Sequence, residues 1–254
     1  MNTKSPNISQ IFAHRGANRE AAENTRAAFD KALQYPIDGI ETDIQLSRDG
    51  VPVLWHDSYL TKLGHLGKRI DDFDFEELKL MNFAGYFSET AEPEGVLSLE
   101  EFIETYRGRC HLQLEVKNRA WEDPSRHHSK MKQSINIAGR PQAQEIFISS
   151  FHLSSLRYAY HYLPNFPLYL ALDETGTFAD VEKYIQDYPF FCGLCLPIAT
   201  LDYATVRHLR ENNKRIVAYT CNSDREIGKA LELHADIIIT DDPERALSLR
   251  SNHI

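Results

Sequence analysis

Apolar positions recur along the chain in two periods that take turns. "QIFAH" reads as a strand, and "NTRAAFDKALQY" as a helix with Asn24 or Thr25 at its start and Ala28, Ala32 and Leu33 on one stripe. "GIETDIQL" and "HLQLEVK" alternate every second residue, as strands do. Helical "HHSKMKQSINIAG", strand "EIFISSF", helical "LSSLRYAYHYL" and strand "PLYLAL" follow. The alternation then runs through "FADVEKYIQDY", "FCGLCLP", "DYATVRHLREN", "RIVAYTCN", "DREIGKALELH", "ADIIITD" and "PERALSLR". With "VPVLWHD" taken as an extension of the second strand, eight strand-helix units result, which predicts a closed (β/α)8 TIM barrel. A doubly wound open sheet is the structural alternative, but no Gly-x-Gly-x-x-Gly loop follows any strand. One stretch breaks the rhythm: residues 58–102, rich in glycine, acids and aromatics, read as an insertion at the barrel mouth.

The faces of two strands carry the chemistry. In "GIETDIQL", Ile40, Thr42, Ile44 and Leu46 share one side, with Gly39, Glu41, Asp43 and Gln45 on the other. "HLQLEVK" splits the same way, with Glu115 and Lys117 on the polar side. In a barrel the apolar sets meet the helices, so Glu41, Asp43 and Glu115 converge inside. Three buried carboxylates need compensation. Either a salt-bridged polar layer with Arg15 and Lys117 or a hard divalent cation supplies it, and all-oxygen ligands favour Mg²⁺ or Ca²⁺ over zinc. "RDG" signals a hairpin, and a two-residue Asp49-Gly50 turn places His56 opposite Asp43. At the end of the first strand, "AHRGAN" offers His14 for proton transfer, Arg15 as a phosphate-shaped fork and Gly16 for a close backbone turn.

Composition narrows the function classes. The chain has 254 residues, 42% hydrophobic and 26% charged, within the range of a globular enzyme. A formal charge of −9 disfavours nucleic acid and anionic membrane surfaces, so an anionic substrate needs a locally positive pocket. "MNTKSPNISQ" lacks a signal-peptide core and no run has membrane-spanning length, which reads as a soluble cytoplasmic protein without stable membrane insertion. Cys192 and Cys195 of "CGLC" are read as buried thiols pointing to opposite strand faces, with no second pair to complete a zinc site. His127, His128 and His152 are read as surface or rim residues.

"HRG" with "ENT", "GIETDIQLSRDGVPVLWHD", "LEVK", "SF" at Ser150-Phe151 and "ADIIITDDP", in that order, resemble the glycerophosphodiester phosphodiesterase family from near one end to the other. The resemblance implies a barrel in which Glu41, Asp43 and Glu115 hold Mg²⁺ or Ca²⁺ and His14 and His56 act as acid and base. It implies that Arg15 and Lys117 contact the phosphate of a small glycerophosphodiester. It also implies attack by the substrate's own glycerol hydroxyl, a cyclic phosphate, and release of an alcohol and glycerol 3-phosphate. Two positions depart from the family pattern: Ala22 stands where proline is usual before "ENT", and Tyr219 where tryptophan often walls the pocket. The rival readings are a lysophospholipase D-like enzyme, using apolar residues of the insertion such as Phe73, Phe75, Leu78, Leu80, Met81, Phe83, Tyr86 and Phe87, and a non-catalytic phosphodiester-binding barrel.

Overall fold

The computed structural model describes residues 8–140 and 145–253; most of the amino-terminal stretch read for a leader lies outside them. Eight parallel strands close a barrel: β1 (Gln10–His14), β2 (Gly39–Leu46), β4 (His111–Val116), β5 (Ile146–Ser150), β6 (Leu168–Ala171), β7 (Gly193–Pro197), β8 (Arg215–Tyr219) and β9 (Ile237–Thr240). Closure is made by β1, which pairs with both β9 and β2. A short β3 (Pro52–Leu54) runs antiparallel to the far end of β2, beyond where β1 stops.

The surrounding helices are α1 (Arg26–Ala32), α3 (Leu99–Tyr106), α4 (Pro124–Ala138), α5 (Leu153–Tyr162), α6 (Phe178–Asp187), α7 (Tyr203–Glu211), α8 (Asp224–Glu232) and α9 (Pro243–His253), with α2 (Phe75–Lys79) in the inserted segment. Sequence chemistry marks their starts: Ser98, Thr177 and Ser223 each form a reciprocal capping box with an acid three residues on. Helix α3 begins at Leu99, so the last residues of the expected 58–102 insertion belong to the helix of the second barrel unit.

Two apolar layers follow from strand parity. Ile40, Ile44, Leu112 and Leu114 pack outward with the helices, while Phe12, Phe147, Tyr169, Cys195, Val217, Ile237 and Ile239 fill the barrel floor. Gly39 makes room for that floor, since a Cβ there would come within 2.5 Å of the Phe12 ring. Cys192 and Cys195 both pack against this inner cluster rather than on opposite faces, because Cys192 precedes β7 and is not bound by its alternation. The apolar residues of the insertion largely serve a separate core: Leu78 and Phe83, with Phe73, Phe75 and Met81, close over Val53, Trp55, Leu60 and Ile70. Leu80 points to solvent, 91% exposed.

A buried ion cluster fixes the loop between β4 and α4. Lys130, fully buried on α4, donates to the Glu122 carboxylate at 2.7 Å and to the Lys117 carbonyl at 2.5 Å. Glu122 also accepts from the Arg119 backbone N–H at 3.0 Å. Burial pulls the Lys130 ammonium down to about 8 despite the opposing pull of Glu122. Breaking such a pair leaves an uncompensated charge, so Glu122→Ala is expected to lose roughly 3–5 kcal/mol in denaturant unfolding at pH 7. Losing Glu122 pulls the ammonium down further, so the variant's deficit against the unsubstituted protein should shrink as pH rises toward about 8, above which the unsubstituted folded protein sheds the same proton. The double variant Glu122→Gln/Lys130→Met should recover most of the loss.

Candidate active site

The carboxyl end of β1 turns sharply into the site. Arg15 has φ 57° and Gly16 φ 85°. A Cβ on Gly16 would lie 2.6 Å from the Ala28 carbonyl carbon, so only glycine lets this turn rest on α1. The following "ENT" is used residue by residue. Glu23 accepts from Arg15 at 3.0 Å, Asn24 donates to Asp43 at 3.0 Å and accepts from the Thr42 hydroxyl at 2.7 Å, and Thr25 caps α1.

Glu41, Asp43 and Glu115 bring carboxylate oxygens within 4.8 Å of one another, as alternation in β2 and the Asp43–Glu115 register predict. Arg15 Nε lies 3.1 Å from Asp43, and Lys117 Nζ 3.0 Å from its other oxygen while also donating to Glu115. Burial alone would raise the Asp43 carboxyl, yet Lys117 and Arg15, with His56 and His14, hold it far below the usual range. Glu41 goes the other way: burial, then repulsion from Asp43 and Glu115, push it well above its ordinary value. Its only ion-pair partner among the described residues is His14, whose Nε2 is 3.8 Å away. Three acids against two cations leave a position for added positive charge, and the donors are all oxygen. The set fits a hard divalent ion.

The two histidines are each held by an aspartate. His14 Nδ1 donates to Asp241 at 2.6 Å, and Asp241 is braced by Asn18 and Asn222, each donating at 2.6 Å. Burial opposes charge on Asp241, but these bonds pull its carboxyl below the normal range. His56 Nδ1 donates to Asp57 at 2.9 Å, and that bond, with Lys62, lowers Asp57 to about 2. Carboxylates accept only, so both imidazoles turn Nε2 away from their anchors.

The hairpin differs from the two-residue turn expected. Gly50, at φ 86°, closes a three-residue loop, Arg48 to Gly50, in which Gly50 N–H donates to the Ser47 carbonyl at 3.0 Å. Pairing runs Ile44 with Leu54 and Leu46 with Pro52, one residue off the expected register. Trp55, not His56, therefore stands across from Asp43, its N–H donating to the Asp43 carbonyl at 3.1 Å. Trp55 enters the insertion core, and His56 follows it into the mouth.

From there an alternating chain of charge returns to the carboxylates. Asp57 meets Lys62 at 3.1 Å, Lys62 meets Glu23 at 2.6 Å, Glu23 meets Arg15 at 3.0 Å, and Arg15 meets Asp43. Lys62 also lies over the Trp55 and Tyr86 rings, at 4.3 and 4.8 Å. Glu23, Asn24, Lys62 and Asp241 are absent from the residues singled out by strand parity. "ENT" signals Glu23 and Asn24, "DDP" signals Asp241, and Lys62 lies in neither motif. Tyr219 sits across the mouth, its hydroxyl donating to the Leu172 carbonyl and its ring edge-on to Phe151 at 6.2 Å. His127 is buried rather than at the surface, 3.3 Å from Glu122, while His152 bonds with Ser155 and His128 stacks on Tyr158, all away from Glu41, Asp43 and Glu115.

A sequence profile described as the glycerophosphoryl diester phosphodiesterase family matches residues 14–245. The chain belongs to this family. A glycerophosphodiester phosphodiesterase of Bacillus altitudinis is 31% identical over 96% of this chain and 98% of its own. One from Caldanaerobacter subterraneus is 27% identical over 94% and 96%. Among solved structures, an Oleispira antarctica phosphodiesterase in complex with the product sn-glycerol-3-phosphate superposes with a TM-score of 0.85 at 25% identity, covering 96% of this chain and 97% of that one. The family member described here is a phosphoric diester hydrolase of the glycerophosphodiester class.

The strain on Glu41 is testable. Its folded value lies above its unfolded one, so its charge costs stability at neutral pH and the cost fades as pH falls toward the unfolded value. Glu41→Gln should therefore raise the melting temperature of metal-stripped protein by a few degrees. Added Mg²⁺ or Ca²⁺ should raise the unsubstituted protein's melting temperature more than the variant's, read by thermal denaturation with and without chelator.

Proposed function

We propose that the site hydrolyses small glycerophosphodiesters to an alcohol and glycerol 3-phosphate, in a metal-dependent reaction with His14 and His56 as the acid and base pair. The observation that carries this is the convergence of two buried carboxylates, the partly exposed Glu115 and two cations on one site that both aspartate-anchored histidines reach electrostatically. Glu41, Asp43 and Glu115 are the residues that would hold Mg²⁺ or Ca²⁺, which supplies positive charge to the phosphoryl oxygens. Arg15 and Lys117, fixed on Asp43, present N–H donors where charge builds as the transition state forms. With Nδ1 tied to Asp241, His14 keeps one tautomer, and Asp57 does the same for His56. One Nε2 takes the proton of the attacking hydroxyl while the other protonates the departing oxygen. Tyr219 walls the pocket.

Support for a small soluble substrate comes from the insertion, whose aromatic residues are mostly spent on their own core, and from the solved relative bound to sn-glycerol-3-phosphate. No helix among the described residues is long and apolar enough to cross a membrane. The four free thiols fit the reducing cytoplasm proposed for it.

Purified protein with Mg²⁺ or Ca²⁺ should release glycerol 3-phosphate from glycerophosphocholine or glycerophosphoethanolamine, followed by a coupled dehydrogenase assay. His14→Ala and His56→Ala should each lower kcat about 10²–10⁴-fold, and Glu41→Ala should abolish turnover. Release of free glycerol and a phosphorylated headgroup, or full activity in chelator, would overturn the proposal.

A further inference from the structure

Beside the two cations that rest on Asp43, a third stands at the mouth without an acid of its own. Arg119 follows β4 by three residues and is half-buried. Its side chain donates to two neutral acceptors, the His56 carbonyl and Gln45 Oε1 at 3.3 Å. Gln45 is itself fixed, donating to the Trp55 carbonyl at 2.8 Å and the Asp57 carbonyl at 2.9 Å. No carboxylate among the described residues reaches the Arg119 guanidinium at ion-pair distance. Burial consequently pulls it below the usual arginine range, with Asp43, Glu122, Glu115 and Asp57 acting only from farther off. Arg15 and Lys117, each with a paired acid, are shifted upward instead.

The neighbouring acids are already taken. Lys62 holds Asp57 and Glu23, and Arg69 holds Asp71 at 2.9 Å. Half-exposed Trp121 and Tyr59 line the same wall, with ring centroids 6.0 Å apart. Trp121 already has the Arg69 guanidinium 4.9 Å and that of Arg119 6.0 Å from its ring centroid. A quaternary ammonium entering here would meet positive charge on a ring that carries cations and find no free carboxylate. An oxyanion would find a preorganised fork that lacks only its partner.

We propose that Arg119 is a specificity-determining residue, and that the alcohol arm of the substrate on the His56 side carries its own anionic group, a carboxylate or a further phosphate. The inference rests on the phosphodiesterase reading above and deepens it. Arg15 and Lys117 already serve the central phosphate, so the outer guanidinium is left to read the arm. Preorganisation by Gln45 and the His56 carbonyl lowers the ordering cost of that contact.

Glycerophosphoserine and glycerophosphoethanolamine differ by one carboxylate and isolate the effect. The unsubstituted protein should show kcat/KM for the serine diester higher by about tenfold or more, the range of a charge-assisted hydrogen bond. Arg119→Met should bring that ratio toward one mainly through the serine diester's KM, and Arg119→Lys should keep an intermediate preference. A ratio at or below one in the unsubstituted protein, or a variant that slows both diesters equally, would overturn the proposal. If neither diester is hydrolysed with metal present, the hydrolase reading fails on its own. Calorimetric Kd values of the two diesters for the intact protein then decide the Arg119 assignment by the same ratio.

Discussion

Asp43 is the anion on which the site depends. It is almost fully buried, and its charge is kept only because Arg15 and Asn24 from the β1–α1 connection and Lys117 after β4 reach it. In return it fixes two cations at the carboxyl end of the barrel. A buried charge without those partners would cost several kcal/mol and would neutralise instead. The neighbouring Glu41 shows that alternative: it has the same burial without a lysine or arginine side chain resting on it, and its carboxyl is driven upward. One residue thus anchors positive charge, while its neighbour takes up a proton more readily or is relieved by added positive charge.

The inserted segment belongs to this network rather than hanging beside it. Its apolar residues close over Trp55, which stands opposite Asp43, and Lys62 from the same segment bridges Asp57 and Glu23. His56 is therefore set by the insertion's packing and by the hairpin together. Next to it, Lys130 and Glu122 tie down the loop that presents Lys117, Arg119 and Trp121. Instability in either support is felt at the site through a few hydrogen bonds, although neither touches the carboxylates.

The barrel and the acid cluster were legible because they rest on short periods. Alternation in "GIETDIQL" and "HLQLEVK" placed Glu41, Asp43 and Glu115 on one side, and the observed register joins Asp43 directly to Glu115. The hairpin register differs by one residue from the expected one, since "RDG" serves a two-residue or a three-residue loop, and Gly50 in the left-handed region closes the longer one. The start of helix α3, Leu99 to Phe102, falls within the expected insertion because its capping Ser98 and its apolar stripe follow directly on a stretch without period.

What the sequence determined by itself was strand order, the inward face of each strand, and hence which acids meet. Those properties depend on residues two or four positions apart, and the backbone geometry of a strand enforces them. Only tertiary structure decided the partners: Asp241 for His14, across 227 positions, and Lys62 for Glu23, across 39. No local period carries such information. Closure of β1 against β9 brings the ends of the chain together, and the compensation of buried charge then selects which side chains can stay there.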